Sequence, residues 1–168
     1  MKRTAFHRKP GLVIPLVAFT ILAVQFARAQ DRTTTQLVML QVREINKIGL
    51  VGGAVTLQVG SAGGDRLEPS TDASTRLLWT SNGDNRKIAV ASNVTSPRFV
   101  LRIQAEQINP GSGVAEPEVT LSDNEPHDLI LGVRRTAGGC TLKFTAAAEP
   151  EEGIGSESHL ITYTITGC

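Results

Sequence analysis

The stretch Phe99-Val100-Leu101-Arg102-Ile103-Gln104-Ala105-Glu106 puts Phe99, Leu101, Ile103 and Ala105 on one side of an extended chain. Val100, Arg102, Gln104 and Glu106 fall on the other. Successive side chains of a strand point to opposite faces, so this alternation describes a strand with one face in a core. The same two-residue period returns upstream at Val38, Leu40 and Val42, at Val55, Leu57 and Val59, at Leu77 and Trp79, and at Ile88 and Val90. Downstream it marks Val119 and Leu121, then Leu129, Leu131 and Val133, then Leu142, Phe144 and Ala146, and last Ile161, Tyr163 and Ile165. Helical periodicity is nearly absent.

Turn chemistry separates these runs. Gly52-Gly53, the glycines between Gly60 and Gly64, Asn109-Pro110-Gly111 and Gly138-Gly139 are breaks, and Ser81-Asn82-Gly83-Asp84-Asn85 reads as the tip of a hairpin. Short strands at near-regular spacing, each with one apolar face, predict an all-β, antiparallel, immunoglobulin-like β-sandwich of about 7–9 strands. A closed β-barrel is the alternative. Trp79, the single tryptophan, is expected to fill the core between the sheets.

The first residues read differently. Lys2, Arg3, Arg8 and Lys9 make a cationic start, Leu12 to Val24 an almost wholly apolar run, and Ala27-Arg28-Ala29 a small-residue site before Gln30. That order predicts a secretory signal peptide with a helical apolar segment over 1–29, cut between Ala29 and Gln30. The run holds about 13 residues and contains Pro15, against roughly 20 for a bilayer span. No membrane span is expected in the mature chain. Export places the protein in the periplasm or outside the cell. Removing 29 from 168 residues leaves 139, one domain over 30–168 with enough chain for a core.

Processing also reverses the charge. All 16 acidic residues lie after Ala29, whereas five of the 17 basic ones leave with the signal, so the mature chain carries −4. Nucleic-acid binding needs clustered positive charge, and a mildly acidic chain with scattered arginines lacks it. Trp79, Tyr163, Phe99 and Phe144 are the only mature aromatics, too few for the platforms of a dedicated sugar-binding surface.

Catalytic patterns are absent from the sequence. His127 and His159 are the mature histidines, and neither stands in a G-x-S-x-G or H-E-x-x-H motif that would pair it with a nucleophile or zinc. Two acidic loops offer carboxylate oxygens to a hard cation: Asp123, Asn124, Glu125 and Asp128, and Glu149, Glu151, Glu152 and Glu157. Neither has EF-hand spacing, and solvated turn residues are the plainer reading. No catalytic residue, metal ligand or cofactor is assigned. Asn93-Val94-Thr95 matches a glycosylation sequon.

An even cysteine pair in an exported protein is usually a disulfide. Cys140 opens the penultimate strand and Cys168 ends the last one, so a hairpin between those strands would bring them together. Face parity opposes the bond. Pairing Leu142 with Ile165 and Phe144 with Tyr163 sets Cys140 opposite Gly167 and turns Cys168 to the other face.

Three stretches carry a resemblance. They are Leu40-Gln41-Val42-Arg43-Glu44-Ile45-Asn46-Lys47-Ile48 with Val55-Thr56-Leu57 after a glycine turn, the Trp79 to Ile88 segment, and the closing Ile161-Thr162-Tyr163-Thr164-Ile165-Thr166. Together they resemble a group of uncharacterised exported bacterial β-sandwich proteins. The resemblance implies compartment and fold and adds no catalytic residue. The leading expectation is an exported, non-enzymatic module with a structural or interaction role, meeting an exported protein or a cell-surface partner. A subunit of a surface fibre joined by strand addition is the second reading, with Thr33, Thr34 and Thr35 in the donor segment. A small metal-dependent hydrolase is the third.

Overall fold

The computed structural model describes residues 34–63 and 66–168. The expected signal peptide and the Ala27, Ala29 and Gln30 cleavage site lie outside them. The chain divides into two compact units, 1–41 and 42–168. In the first, residues 34–41 carry no strand or helix and are exposed. The apolar run that begins at Val38 is therefore not a sheet strand, contrary to its alternation.

The second unit is an all-β antiparallel sandwich, not closed into a barrel. Its strands are β1 (Asn46–Val51), β2 (Ala62–Gly63), β3 (Arg66–Leu67), β4 (Ser70–Ser81), β5 (Arg86–Ser92) and β6 (Val100–Glu106). Then follow β7 (Val114–Ala115), β8 (Val119–Thr120), β9 (His127–Val133), β10 (Thr136–Ala147) and β11 (Ile161–Gly167). One sheet has the order β1-β4-β10-β6-β8, the other β11-β5-β9-β7, and β2 and β3 form a small separate ribbon.

From β4 onward every consecutive strand changes sheet. The pairs β4–β10, β5–β9 and β6–β8 are nested around β7 like the rungs of one long hairpin. Successive rungs go to alternate sheets, which is the winding of a jelly roll. The immunoglobulin-like description holds for the layering of two antiparallel sheets, while the connectivity follows this nested order. Ser81 to Asn85 is accordingly a crossing between sheets and not a hairpin tip, because β4 pairs with β1 and β10 whereas β5 pairs with β11 and β9.

The core lies between the sheets. Leu77, Trp79, Ile103, Ala105, Cys140, Leu142 and Phe144 come from the first, and Ile88, Val90, Leu129, Ile130 and Val133 from the second. Trp79 is buried as expected, at 2% exposure. Gly138 faces it in the β4–β10 ladder, and a Cβ there would lie 2.6 Å from Trp79 Cε2. The Gly138-Gly139 pair is thus not a turn. It sits inside β10, where glycine makes room for the indole.

Parity breaks where strands bulge. The β10–β4 register shifts between Leu142 and Phe144, leaving the extra residue on β4 near Ala73 and Ser74. There Asp72 Oδ1 accepts from the Ser74 amide (2.9 Å) and hydroxyl (2.7 Å). These two bonds, the amide first, hold the Asp72 carboxyl below its ordinary range. Two shifts in the β5–β9 pairing bury Leu129 and Ile130 in succession, and Gly132 takes a φ of 65° beside the second. Val55 and Leu57 pack against the core in alternation, but no ladder forms at 53–60.

Candidate functional site

The two histidines among the described residues, His127 and His159, each meet a carboxylate, and His159 also meets a serine. His159 Nδ1 lies 2.9 Å from Ser92 Oγ, and its Nε2 lies 3.4 Å from Glu157 Oε2. Ser92 ends β5, while Glu157 and His159 come from the segment leading into β11, which pairs with β5. The ladder brings together groups 67 residues apart. Glu157 also accepts from the backbone amides of Arg98 (3.0 Å) and Phe99 (3.3 Å). Burial pushes the Glu157 carboxyl up, but the two amides and the His159 ring outweigh it and leave it below its ordinary value.

Serine, histidine and glutamate in a row are the parts of an acyl-transfer triad. The wiring here favours a clasp. Ser92 is buried and its Oγ already accepts from the Val94 amide at 3.2 Å. The neighbouring amides of Arg98 and Phe99 donate to Glu157. Beside them Asn93 Oδ1 accepts from Leu160 N at 2.7 Å, and Asn93 N donates to Leu160 O at 3.2 Å. The cluster pins the β5–β6 connection to the approach of β11. No motif spacing in the sequence announces it, because the partners meet only through the β5–β11 pairing.

The acidic loops are held by local partners. Asp123 Oδ1 lies 2.9 Å from His127 Nε2 and accepts from Glu125 N at 3.0 Å, and these contacts, the histidine first, lower its carboxyl. Asp128 pairs with Lys87 at 2.8 Å. Glu152 Oε2 accepts from Glu149 N at 2.8 Å, closing a turn over Pro150–Glu152. Among the described residues no group of three or more His, Cys, Asp or Glu is arranged to hold a metal ion.

The hairpin expected to carry the disulfide does not form, and Cys140 and Cys168 are free thiols. β10 pairs with β4 and β6, and β11 pairs with β5 in the opposite sheet. Tyr163 of β11 packs against the core cluster that contains Cys140, and burial, then Cys140, push its phenol up. Cys168 lies five residues beyond Tyr163, roughly 16 Å along a strand. A disulfide needs Cα atoms within about 7 Å.

Two surface features remain. Leu37, Val38, Met39, Leu40 and Val42 are 74% to 90% exposed, a run of apolar side chains in the segment read from sequence as a strand. The chain that follows is pinned to the β4–β5 crossing. Asn82 Nδ2 donates to Arg43 O (2.7 Å), Asn82 Oδ1 accepts from Ile45 N (2.7 Å), and Arg86 pairs with Glu44. Gly167 lies opposite Arg86, and Cys168 N donates to Asn85 O at 3.1 Å, so β11 ends at the same pole. The second feature is β11 itself, whose hydrogen-bonded partner among the described residues is β5 alone.

No protein-family model, curated protein or solved structure matches this chain.

Proposed function

We propose that the protein is exported, loses residues 1–29, and acts as a non-enzymatic interaction module in the cell envelope or outside the cell. The observation that carries this is the exposed apolar run Leu37 to Val42, attached to a sandwich with a well-filled core. Contiguous exposed apolar side chains mark interaction sites, because leaving them in water forfeits roughly 25 cal/mol per Å² of burial. The mature charge of −4 and the scarcity of aromatics fit a protein partner better than nucleic acid or sugar.

The test is a photo-crosslinking residue at Leu40 in the protein expressed in its native envelope. Defined-mass adducts on a chain that begins at Gln30 support the reading. A chain that retains residues 1–29, or that yields no adduct, overturns it.

A further inference from the structure

We infer that the partner of the apolar arm is a second copy of this chain, with residues 36–42 of one copy adding as a strand to the open edge of β11 in another. The inference rests on the reading of the arm as a contact element and names its partner.

Open sheet edges invite pairing, and proteins blunt them with short strands, lysines, prolines or bulges. Three of the four edges of the two main sheets are treated in that way. β7 and β8 have two residues each, and β1 carries Lys47 and Gly49. β11 has none of these devices. Ile161-Thr162-Tyr163-Thr164-Ile165-Thr166-Gly167 holds no charge and no proline, and it pairs with β5 through seven consecutive residues without a shift. Its core-facing Ile161, Tyr163 and Ile165 are only partly buried.

The arm matches this edge in face, since Val38, Leu40 and Val42 repeat with the same two-residue period as Ile161, Tyr163 and Ile165. Laid antiparallel with residue 36 opposite 167, the two segments set Val38, Leu40 and Val42 opposite Ile165, Tyr163 and Ile161. The Val38, Leu40 and Val42 side of the arm then coincides with the apolar side of β11, and Leu37 and Met39 fall on the other side. Antiparallel pairing is also the more stable arrangement. An arm folding onto its own β11 would have to run parallel, because Arg43 is tethered at the pole where β11 ends. A second copy carries no such constraint, and β-strand addition of this kind draws on backbone hydrogen bonds for affinity and side-chain alternation for specificity.

The register places residue 35 opposite Cys168, an exposed free thiol. Oxidising the exported Thr35→Cys variant should therefore give a covalent dimer whose bond maps between position 35 of one copy and Cys168 of the other. Adding Leu40→Lys to the same chain should abolish it. By sedimentation, the wild-type protein should associate with rising concentration, and Leu40→Lys should weaken that association roughly tenfold or more, the scale of one buried leucine. Leu40 is exposed, so at concentrations where both proteins are monomeric the thermal unfolding of Leu40→Lys should match the wild type. A wild-type protein that stays monomeric, association unaffected by Leu40→Lys, or a bond mapping elsewhere overturns the inference. In that event adducts at Leu40 in the envelope would still uphold the arm as a contact element with a different partner, whereas their absence would remove both readings.

Discussion

At Gly138 the absence of one carbon sets the fit of the core. A Cβ there would lie 2.6 Å from both Trp79 Cε2 and Ser112 Cβ, and neither can retreat, because both residues are buried. Gly138→Ala should cost about 1–3 kcal/mol by overpacking, and Trp79→Ala about 3–5 kcal/mol by cavity formation, both read from urea unfolding. The thiols should behave unequally. Burial pushes Cys140 up to about 11, while Cys168 is exposed. Native protein at neutral pH should label at Cys168 alone and denatured protein at both positions. Glu157 carries a pH dependence. Its folded carboxyl lies below the ordinary value of 4.5, so its contribution is complete above that value and fades as acid protonates it. Glu157→Gln should flatten the fall of melting temperature below pH 4.5 and leave the slope near neutrality unchanged.

The crossing between β4 and β5 does the work of an anchor. Asn82 ties Arg43 and Ile45 through its side chain, and its amide donates to Ile45 O at 3.1 Å. Asn82→Ala keeps the backbone bond and removes the two side-chain bonds. A net loss of about 1 kcal/mol is expected for exposed bonds of this kind. Hydrogen exchange should quicken at the Ile45 amide while β10 and β6 keep their protection. This element was half legible in the sequence. Asn82-Gly83 announced a turn, but a turn signal does not say whether the flanking strands pair with each other. The second sheet lies within reach, and β4 pairs with β1 and β10 in one sheet while β5 pairs with β11 and β9 in the other. The bulges at Ser74 and Gly132 were illegible for a related reason. An inserted residue shows itself only against the partner strand, so the alternation Leu129, Leu131, Val133 looked regular while Leu129 and Ile130 are the buried pair.

The whole sandwich is assembled from distant pairings. β4 pairs with β10 and β5 with β9, so most ladders close long loops. Folding should accordingly fall in the millisecond-to-second range of all-β domains, and stopped-flow fluorescence of Trp79, the single tryptophan, measures it directly. A microsecond phase carrying the full amplitude would contradict that expectation. The alternation of Phe99 to Ala105 and its counterparts was enough to determine strand content, the antiparallel sandwich and the burial of Trp79, because period-two patterning is a property of the chain alone. Partner choice was not determined there. Backbone hydrogen bonds are the same for every residue, and a face pattern matches several strands equally well. Only the tertiary structure decided that β10 and β11 belong to opposite sheets, which separates Cys140 from Cys168. The same choice joins β11 to β5 and so brings His159 and Glu157 to Ser92. Val38 to Val42 shows the converse: a strand pattern is a capacity to pair, and without a facing edge the apolar side chains stay in water.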